Sequence, residues 1–437
     1  MTISVAIIGS GPSAFYTVDA LAKSGAACQI DMIERLPAPF GLIRYGVAPD
    51  HESTRKVARN FDKLARGGAL KFFGNVEVGR DVSMDDLRGM YDAVVLAVGA
   101  PHDRKLGISG QDKKNVFGSA DFVGWYNGHP DFRDLNPDLK VKAAAVVGVG
   151  NVALDVARLL VRSREELSET DMPDYAVEAF ANSSVTDVYL FGRRGPAEAA
   201  FTMGELREMG ELDLASPVID AAQLPANVDH LPEAVRRVPA KLVEMLRAFS
   251  AKPVDKPKRV HFRFYSAPKE IHGGERVAGI RIERTKVEGG RAVGTGQFED
   301  IACGLVVAAI GYRSPKIDGA VFDDGKGLYT NTDGRVAPGL YAVGWAMRGP
   351  SGVIGSNKID GQMVGGHIVK DCAVPGGTGP KPGRSALEQA LAKRGSKITN
   401  YDDWIALDAE EVKRARPKSP RGKFTSVGEM LRFLKKA

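Results

Sequence analysis

The apolar run Ile3 to Ile8 stops at Gly9-Ser10-Gly11-Pro12-Ser13-Ala14, and a helical stretch follows. The same arrangement returns at Ala143 to Val147, followed by Gly148-Val149-Gly150-Asn151-Val152-Ala153 and a second helical stretch. A short, mostly apolar run closed by G-x-G-x-x-A and a helix is the opening of a doubly wound parallel sheet, whose strands are buried on both faces. Two such openings in one chain constrain it more than any other feature does. They predict an α/β protein with two three-layer, Rossmann-like dinucleotide-binding domains.

The residues at each turn have distinct tasks. Gly9 permits the tight turn, Gly11 lets a pyrophosphate approach the backbone, and Ala14 lets the helix pack close to the sheet. The helix start offers unpaired N–H groups and a positive dipole end to phosphates. Glu34 closes the second strand, 23 residues after Gly11. A carboxylate there accepts hydrogen bonds from ribose hydroxyls and repels a 2′-phosphate, so the first site favours FAD or NAD. In the second copy the strand Val185 to Phe191 is followed by Gly192-Arg193-Arg194-Gly195. Paired guanidiniums hold a 2′-phosphate by charge-assisted bonds, so this site favours NADP(H). Arg193 lies 43 residues beyond Gly150, against a usual spacing of ~20; a polar insertion at about residues 163–184 accounts for the excess. Two unlike dinucleotide sites imply electron transfer between a bound flavin, in the first, and an exchangeable nicotinamide, in the second.

A chain of 437 residues with 43% apolar content supports two or three packed domains and excludes global disorder. Cys28, Cys303 and Cys372 are far apart and form no C-x-x-C. That excludes a zinc ribbon, a cysteine-ligated cluster and a dithiol centre, and it fits a cytoplasmic protein. The histidines have no metal-ligand spacing, so no metal is expected. No apolar stretch reaches a membrane span, and no basic–aromatic pattern suggests nucleic acid. The net charge of +6 is local, because Pro375 to Ala437 carries 14 basic against 7 acidic residues. That tail is either a solvated basic segment or a docking surface for an acidic partner. It opens with a linker composition, PGGTGPKPGR, and later has amphipathic pieces such as SVGEMLRFL. Elsewhere, Asp50 looks like the cap of a polar helix to about Gly67, and residues 202–250 look mostly helical. Strands are expected at Phe72 to Val78, Tyr91 to Gly99, Val260 to Tyr265, Gly279 to Ile282, Leu305 to Ile310 and Leu340 to Val343.

The sequence resembles the adrenodoxin-reductase type of ferredoxin–NADP(+) reductases. The resemblance rests on VAIIGSGPSAFY, PAPFGLIRYGVAPDH, FFGNVEVG, YDAVVLAVGA, DFVGWYNGHP, VVGVGNVALDVARLL, FGRRGPAEAAFTMGELRE and YAVGWAMRGPSGVIGSNK, collinear over about residues 3–370. It implies a discontinuous FAD domain (1–105 and 317–437) with an NADP domain (106–316) inserted into it. It also implies that Ser13, Ala14, Glu34, Leu42 and Val78 contact FAD. Trp345 and Gly352-Val353-Ile354 would line the flavin ring, with Gly352 also near the nicotinamide. Arg104, Val149, Gly150, Asn151, Val152, Arg193, Arg194 and Glu205 would hold NADP(H). His51, Glu208 and Asp155 fall at polar positions near the family's active centre and are the catalytic candidates. The implied activity is hydride transfer from NADPH to flavin N5, then single-electron transfer to an iron–sulfur ferredoxin, by a monomer. Two alternatives keep the same fold: an electron-input subunit related to the glutamate synthase small subunit, and a non-enzymatic NADP-binding sensor. The first of these normally carries an N-terminal cysteine-rich cluster domain, which this sequence does not show. A flavin monooxygenase is disfavoured by the GVAPDH loop.

Overall fold

A computed structural model describes residues 2–373 and 381–436. Residues 375–380 of the linker-like stretch lie outside them. The chain forms two compact units. The first comprises Met1–His102, Asn127–Asp131 and Tyr312–Ala437, and the second Asp103–Tyr126 and Phe132–Gly311.

The first unit is built on six strands in the order Arg335–Ala337, Leu340–Ala342, Ala93–Leu96, Ile3–Ile8, Cys28–Glu34 and Lys71–Gly74. All neighbours are parallel except the hairpin at the first edge. Ile3–Ile8 is central, pairing Val5 with Ile30 on one side and Ala93 on the other, and each of its six residues is buried. Its apolar character, broken only by Ser4, which donates to Asp92, follows from having cover on both faces. The helix Pro12–Lys23 lies against the helix Ser356–Cys372 through two glycines. A Cβ at Gly361 would meet the Tyr16 backbone at 2.6 Å, and one at Gly365 would meet the Ala20 Cβ at 2.9 Å. Glycine at both positions therefore sets how near the late helix can approach the early one.

The second unit has six parallel strands in the order Val116–Gly118, Leu305–Ala308, Ala143–Val147, Asp187–Phe191, Lys258–Arg263 and Ala215–Ile219. A separate antiparallel sheet joins Ser266–His272, Gly279–Glu288 and Arg291–Ala302.

Several expectations need correction. Residues 202–250 are not a run of helices alone, because the edge strand Ala215–Ile219 divides the helices Met203–Met209 and Arg237–Ser250. The polar helix expected from Asp50 to Gly67 is two helices, Glu52–Arg55 and Ala58–Arg66, and Asp50 does not cap either. The insertion at 163–184 is less polar in effect than its composition suggests. It folds into Arg164–Ser168 and Asp174–Ala181 and contributes Leu167, Met172, Ala176 and Phe180 to the core.

The described part of the tail is not a solvated basic segment. It forms the helices Arg384–Lys393, Tyr401–Lys413 and Val427–Phe433, and it buries Leu387, Leu391, Trp404, Phe424 and Met430. Many of its basic groups are engaged within the first unit. Arg384 pairs with Asp31 at 2.6 Å, Arg421 with Asp408 at 2.5 Å, and Lys423 donates to the carbonyls of Arg44 and Asn127.

Candidate functional site

The first cradle follows directly from the strand Ile3–Ile8. Gly9 has φ +102°, and a Cβ there would collide with the Ala97 carbonyl. Both facts require glycine. Gly11 precedes the helix Pro12–Lys23, no side chain caps that helix, and a Cβ at Gly11 would point into open space. The turn is thus free to receive a phosphate at the helix N–H groups. Glu34 lies beside it. One of its carboxylate oxygens accepts from the Ser10 hydroxyl at 2.6 Å and the Ser10 N–H at 3.1 Å, and the other accepts from the Leu36 N–H at 3.0 Å. These bonds fix the carboxylate, and the oxygen bonded to Leu36 has a lone pair left for a ribose hydroxyl.

The second cradle repeats this geometry. Gly148 has φ +138°, and its Cβ would collide with the Ala309 carbonyl. Gly9 N–H donates to Ile33 at 2.8 Å, and Gly148 N–H to Phe191 at 2.9 Å. Gly150 precedes the helix Asn151–Val161 with no side-chain cap, and beyond it too there is open space. The Asn151 side chain accepts from the Thr202 N–H at 2.8 Å, and the Val149 carbonyl from the Ala200 N–H at 2.9 Å.

At the end of the second strand the two cradles differ. Glu34 directly follows Ile33 in the first, whereas in the second Gly192 follows Phe191 and Arg193 and Arg194 come next. Their backbone is fixed: the Arg193 carbonyl accepts from the Thr285 hydroxyl at 2.8 Å, and the Arg194 carbonyl from the Tyr265 N–H at 3.0 Å. Among the described residues neither guanidinium has an ion pair or side-chain hydrogen bond. Two unsatisfied cations on a held backbone form a receptor for a dianion.

Around the first cradle, Ser13 and Ala14 are buried in the first turn of the helix, and Ser13 lies against the turn at Gly344. Trp345 follows Gly344, donates its indole N–H to the Ser351 carbonyl at 3.1 Å and stacks on Tyr312 at 5.9 Å. Gly352 has φ +79°, Val353 is exposed and Ile354 packs on the core. Leu42 is exposed at the start of the helix Leu42–Tyr45, and Val78 is half-buried beyond the strand Lys71–Gly74. His51 precedes the helix Glu52–Arg55 and donates its N–H to Ala48 at 3.0 Å.

Around the second cradle, Val152 is half-buried in the first turn of its helix, and Arg104 donates its N–H to Gly311 at 3.0 Å. Asp155, Glu205 and Glu208 come together on a residue that the sequence alone does not single out. Arg158 is fully buried, 2.7 Å from Asp155, 3.3 Å from Glu205 and 3.4 Å from Glu208. Its one signal is a basic residue inside an apolar helical run, three residues after an acid. Tyr312 and Asp360, which pairs with the partly buried Arg348 at 2.8 Å, lie outside the stretches that carry the resemblance.

Comparison with known proteins matches this geometry to a family. The family described as "Pyridine nucleotide-disulphide oxidoreductase" matches residues 3–356. The chain is 41% identical to human (Homo sapiens) mitochondrial NADPH:adrenodoxin oxidoreductase, over 99% of this chain and 92% of that one. It is 40% identical to NADPH-ferredoxin reductase FprA of Mycobacterium tuberculosis (strain CDC 1551 / Oshkosh), over 98% of each. A solved structure of Mycobacterium tuberculosis FprA in complex with NADPH superposes with a TM-score of 0.94 at 39% identity, covering 99% of both chains. Two glycine cradles of opposite polarity and this full-length likeness lead to one conclusion: the chain belongs to the pyridine nucleotide-disulphide oxidoreductase family and, within it, to the adrenodoxin reductase–FprA group.

Proposed function

We propose that this chain is an FAD-dependent NADPH:ferredoxin oxidoreductase of the cytoplasm. The observation that carries the reading is the contrast between Glu34 and the unpaired Arg193–Arg194 just beyond the second-strand ends of two otherwise matching cradles. An acid at the first excludes a 2′-phosphate and suits the adenosine of FAD. Two free guanidiniums at the second select the 2′-phosphate of NADPH. The relatives are named for NADPH and for adrenodoxin or ferredoxin.

In this reading FAD, when bound, supplies the conversion of a two-electron donor into single-electron output. The protein's part is binding and orientation. The Gly11 turn takes the pyrophosphate of FAD, Glu34 holds its ribose, and Leu42, Val78, Trp345 and the turn Gly352-Val353-Ile354 face the flavin. Val149, Gly150, Asn151 and Val152 take the pyrophosphate of NADPH, with Arg104 and Glu205 as further contacts. His51, Glu208 and Asp155 supply polar groups for binding and proton handling. The acceptor is an acidic iron–sulfur protein of the ferredoxin type, met by a chain of net charge +6; binding of that kind weakens with salt. The free thiols Cys28, Cys303 and Cys372 suit a reducing compartment.

The test is an absorption spectrum of the purified protein, followed by anaerobic titration with NADPH and with NADH. The expected result is a flavin spectrum bleached by NADPH at far lower concentration than by NADH. A protein that takes up no flavin on reconstitution, or bleaches equally with both donors, overturns the corresponding assignment.

A further inference from the structure

The short helix Trp345–Arg348 ends in an arginine whose guanidinium reaches four acceptors. Its Nε donates to Asp360 at 2.8 Å and its Nη2 to the Asn357 side-chain oxygen at 3.1 Å. Its Nη1 donates to the Gly349 carbonyl at 3.3 Å and, more closely, to the Ser351 carbonyl. The Ser351 carbonyl also accepts from the Trp345 indole N–H, at 3.1 Å. Asn357 and Asp360 are buried near the start of the helix Ser356–Cys372. A buried carboxylate needs a cation beside it. It does not require that cation to hold two main-chain carbonyls of the neighbouring turn as well.

Those bonds set the direction of the turn's peptide planes. A peptide unit is planar and trans, so its C=O and N–H point opposite ways. With the Ser351 carbonyl turned onto Arg348 and Trp345, the Gly352 N–H faces away from both. The same holds three residues later. The Ile354 carbonyl accepts from the Asn357 side-chain N–H at 3.0 Å and from its backbone N–H at 3.2 Å, so the Gly355 N–H faces away from Asn357. Arg348 governs this plane too, because its bond to the Asn357 oxygen decides which end of that amide meets Ile354. Among the described residues, neither the Gly352 nor the Gly355 N–H has a partner. The Val353 N–H between them does, donating to the Ser356 hydroxyl at 3.2 Å.

We propose that Arg348 is a positioning residue that turns the carbonyls of Ser351 and Ile354 inward and so leaves the Gly352 and Gly355 N–H groups as donors to the flavin ring. This rests on the reading of the turn Gly352-Val353-Ile354 as one that faces the flavin. N–H groups held in a fixed direction favour the more negative form of a bound group. Reduction puts electrons onto the flavin ring, so these donors favour the reduced form and raise its reduction potential. Lysine at position 348 keeps the charge beside Asp360 but loses the planar fork that spans four acceptors. The Ser351 plane is then held by Trp345 alone, the Asn357 amide is free to turn, and the preference weakens.

The experiment measures the flavin midpoint potential of the loaded protein, by anaerobic equilibration with a reference dye, and its dissociation constant for oxidised FAD. The proteins are wild type, Arg348→Lys and Asp360→Asn. Arg348→Lys is expected to lower the preference for reduced over oxidised flavin roughly tenfold, the effect of losing one hydrogen bond to a charged group. For a two-electron couple that makes the potential about 30 mV more negative. An unchanged potential overturns the proposal however weakly the variant holds FAD, because a role in packing alone loosens both forms equally. Asp360→Asn removes a negative charge and leaves the carbonyl bonds of Arg348 in place, so its potential is expected not to fall. A fall equal to that of Arg348→Lys also overturns the proposal, since the ion pair and not the peptide planes would then matter. A melting curve is taken alongside; if Arg348→Lys does not fold or hold flavin, Arg348→Met combined with Asp360→Asn, which removes one charge of each sign, is measured for the same shift. Failure of the flavin reading is distinguishable, because then the wild type itself takes up no flavin.

Discussion

Arg44 and Glu411 form an enclosed ion pair in which the glutamate side chain has no exposed surface. Burial pushes the Glu411 carboxyl up, but the Arg44 guanidinium prevails and holds it below the usual carboxylate range. Glu411 also accepts from the Phe424 N–H at 2.8 Å, and Arg44 lies over the rings of Tyr45 and Trp404. The pair ties the late helix Tyr401–Lys413 to the short helix Leu42–Tyr45, which carries a proposed flavin contact. Glu411→Gln leaves the buried guanidinium uncompensated and is expected to cost ~3–5 kcal/mol. Thermal melts followed by flavin fluorescence check this: the variant unfolds at lower temperature and releases flavin before the wild type does.

The two open glycines give a selective test. A Cβ at Gly11 or Gly150 meets nothing within 4 Å, whereas one at Gly9 collides with backbone. Gly11→Val is expected to fold but to purify without flavin. Gly150→Val is expected to fold and keep flavin, with affinity for NADPH reduced by at least two orders of magnitude, about 3 kcal/mol. Gly9→Val is expected to yield little folded protein. Circular dichroism, the flavin absorption band and NADPH titration separate the three outcomes.

The proposed reading makes Arg193 and Arg194 the basis of an NADPH preference, and charge-assisted bonds to phosphate contribute roughly 1.5–3 kcal/mol each. Replacing either by alanine is expected to raise KM for NADPH about 10–100-fold and to leave KM for NADH nearly unchanged. Steady-state reduction of a dye acceptor with each donor measures the ratio.

His129 gives a signed pH effect. Burial beside Arg35 and Tyr45 pushes its imidazole down to about 4, although Asp131 pulls the other way. An unfolded chain takes up this proton near pH 6.5, while the folded one refuses it until about 4. Stability from this group is therefore complete above about pH 6.5 and is lost as pH falls towards 4. Asp103, pushed up to about 6 by burial, acts with the opposite sign over much of that window. The difference between wild type and His129→Gln isolates the histidine. In urea titrations from pH 7 to 4.5, the wild type is expected to lose stability more steeply than the variant.

The two cradles are legible in the sequence because each residue in them answers to one local requirement: a positive φ, an open Cβ position, or a charge at a strand end. The edge strand Ala215–Ile219 is hidden by Pro217, which argues against a strand in the middle of a sheet. At an edge, one side of the backbone needs no ladder partner, so the proline is tolerated; the strand's single neighbour is Lys258–Arg263. The strand Arg291–Ala302 escapes detection because it is largely exposed and polar, so no alternation marks it. The tail misleads through its charge. A net excess of bases suggests solvation, but the count does not reveal that Arg384 and Lys423 find partners far away in sequence, or that Arg421 pairs back onto the preceding helix. Arg158 is obscure for the same reason: its glutamates lie 47 and 50 residues further on.

The close approach at Gly361 and Gly365 also has a consequence during synthesis. The helix that presents the first cradle emerges from the ribosome early, but the helix that covers it is finished only at Cys372. The second unit, whose residues end at Gly311, is complete before then. A nascent chain therefore passes through a stage with a finished second unit and an unclosed first unit. Until the covering helix is made, the face of the first helix at Tyr16 and Ala20 waits uncovered, the interval in which a chaperone or a protease would find it.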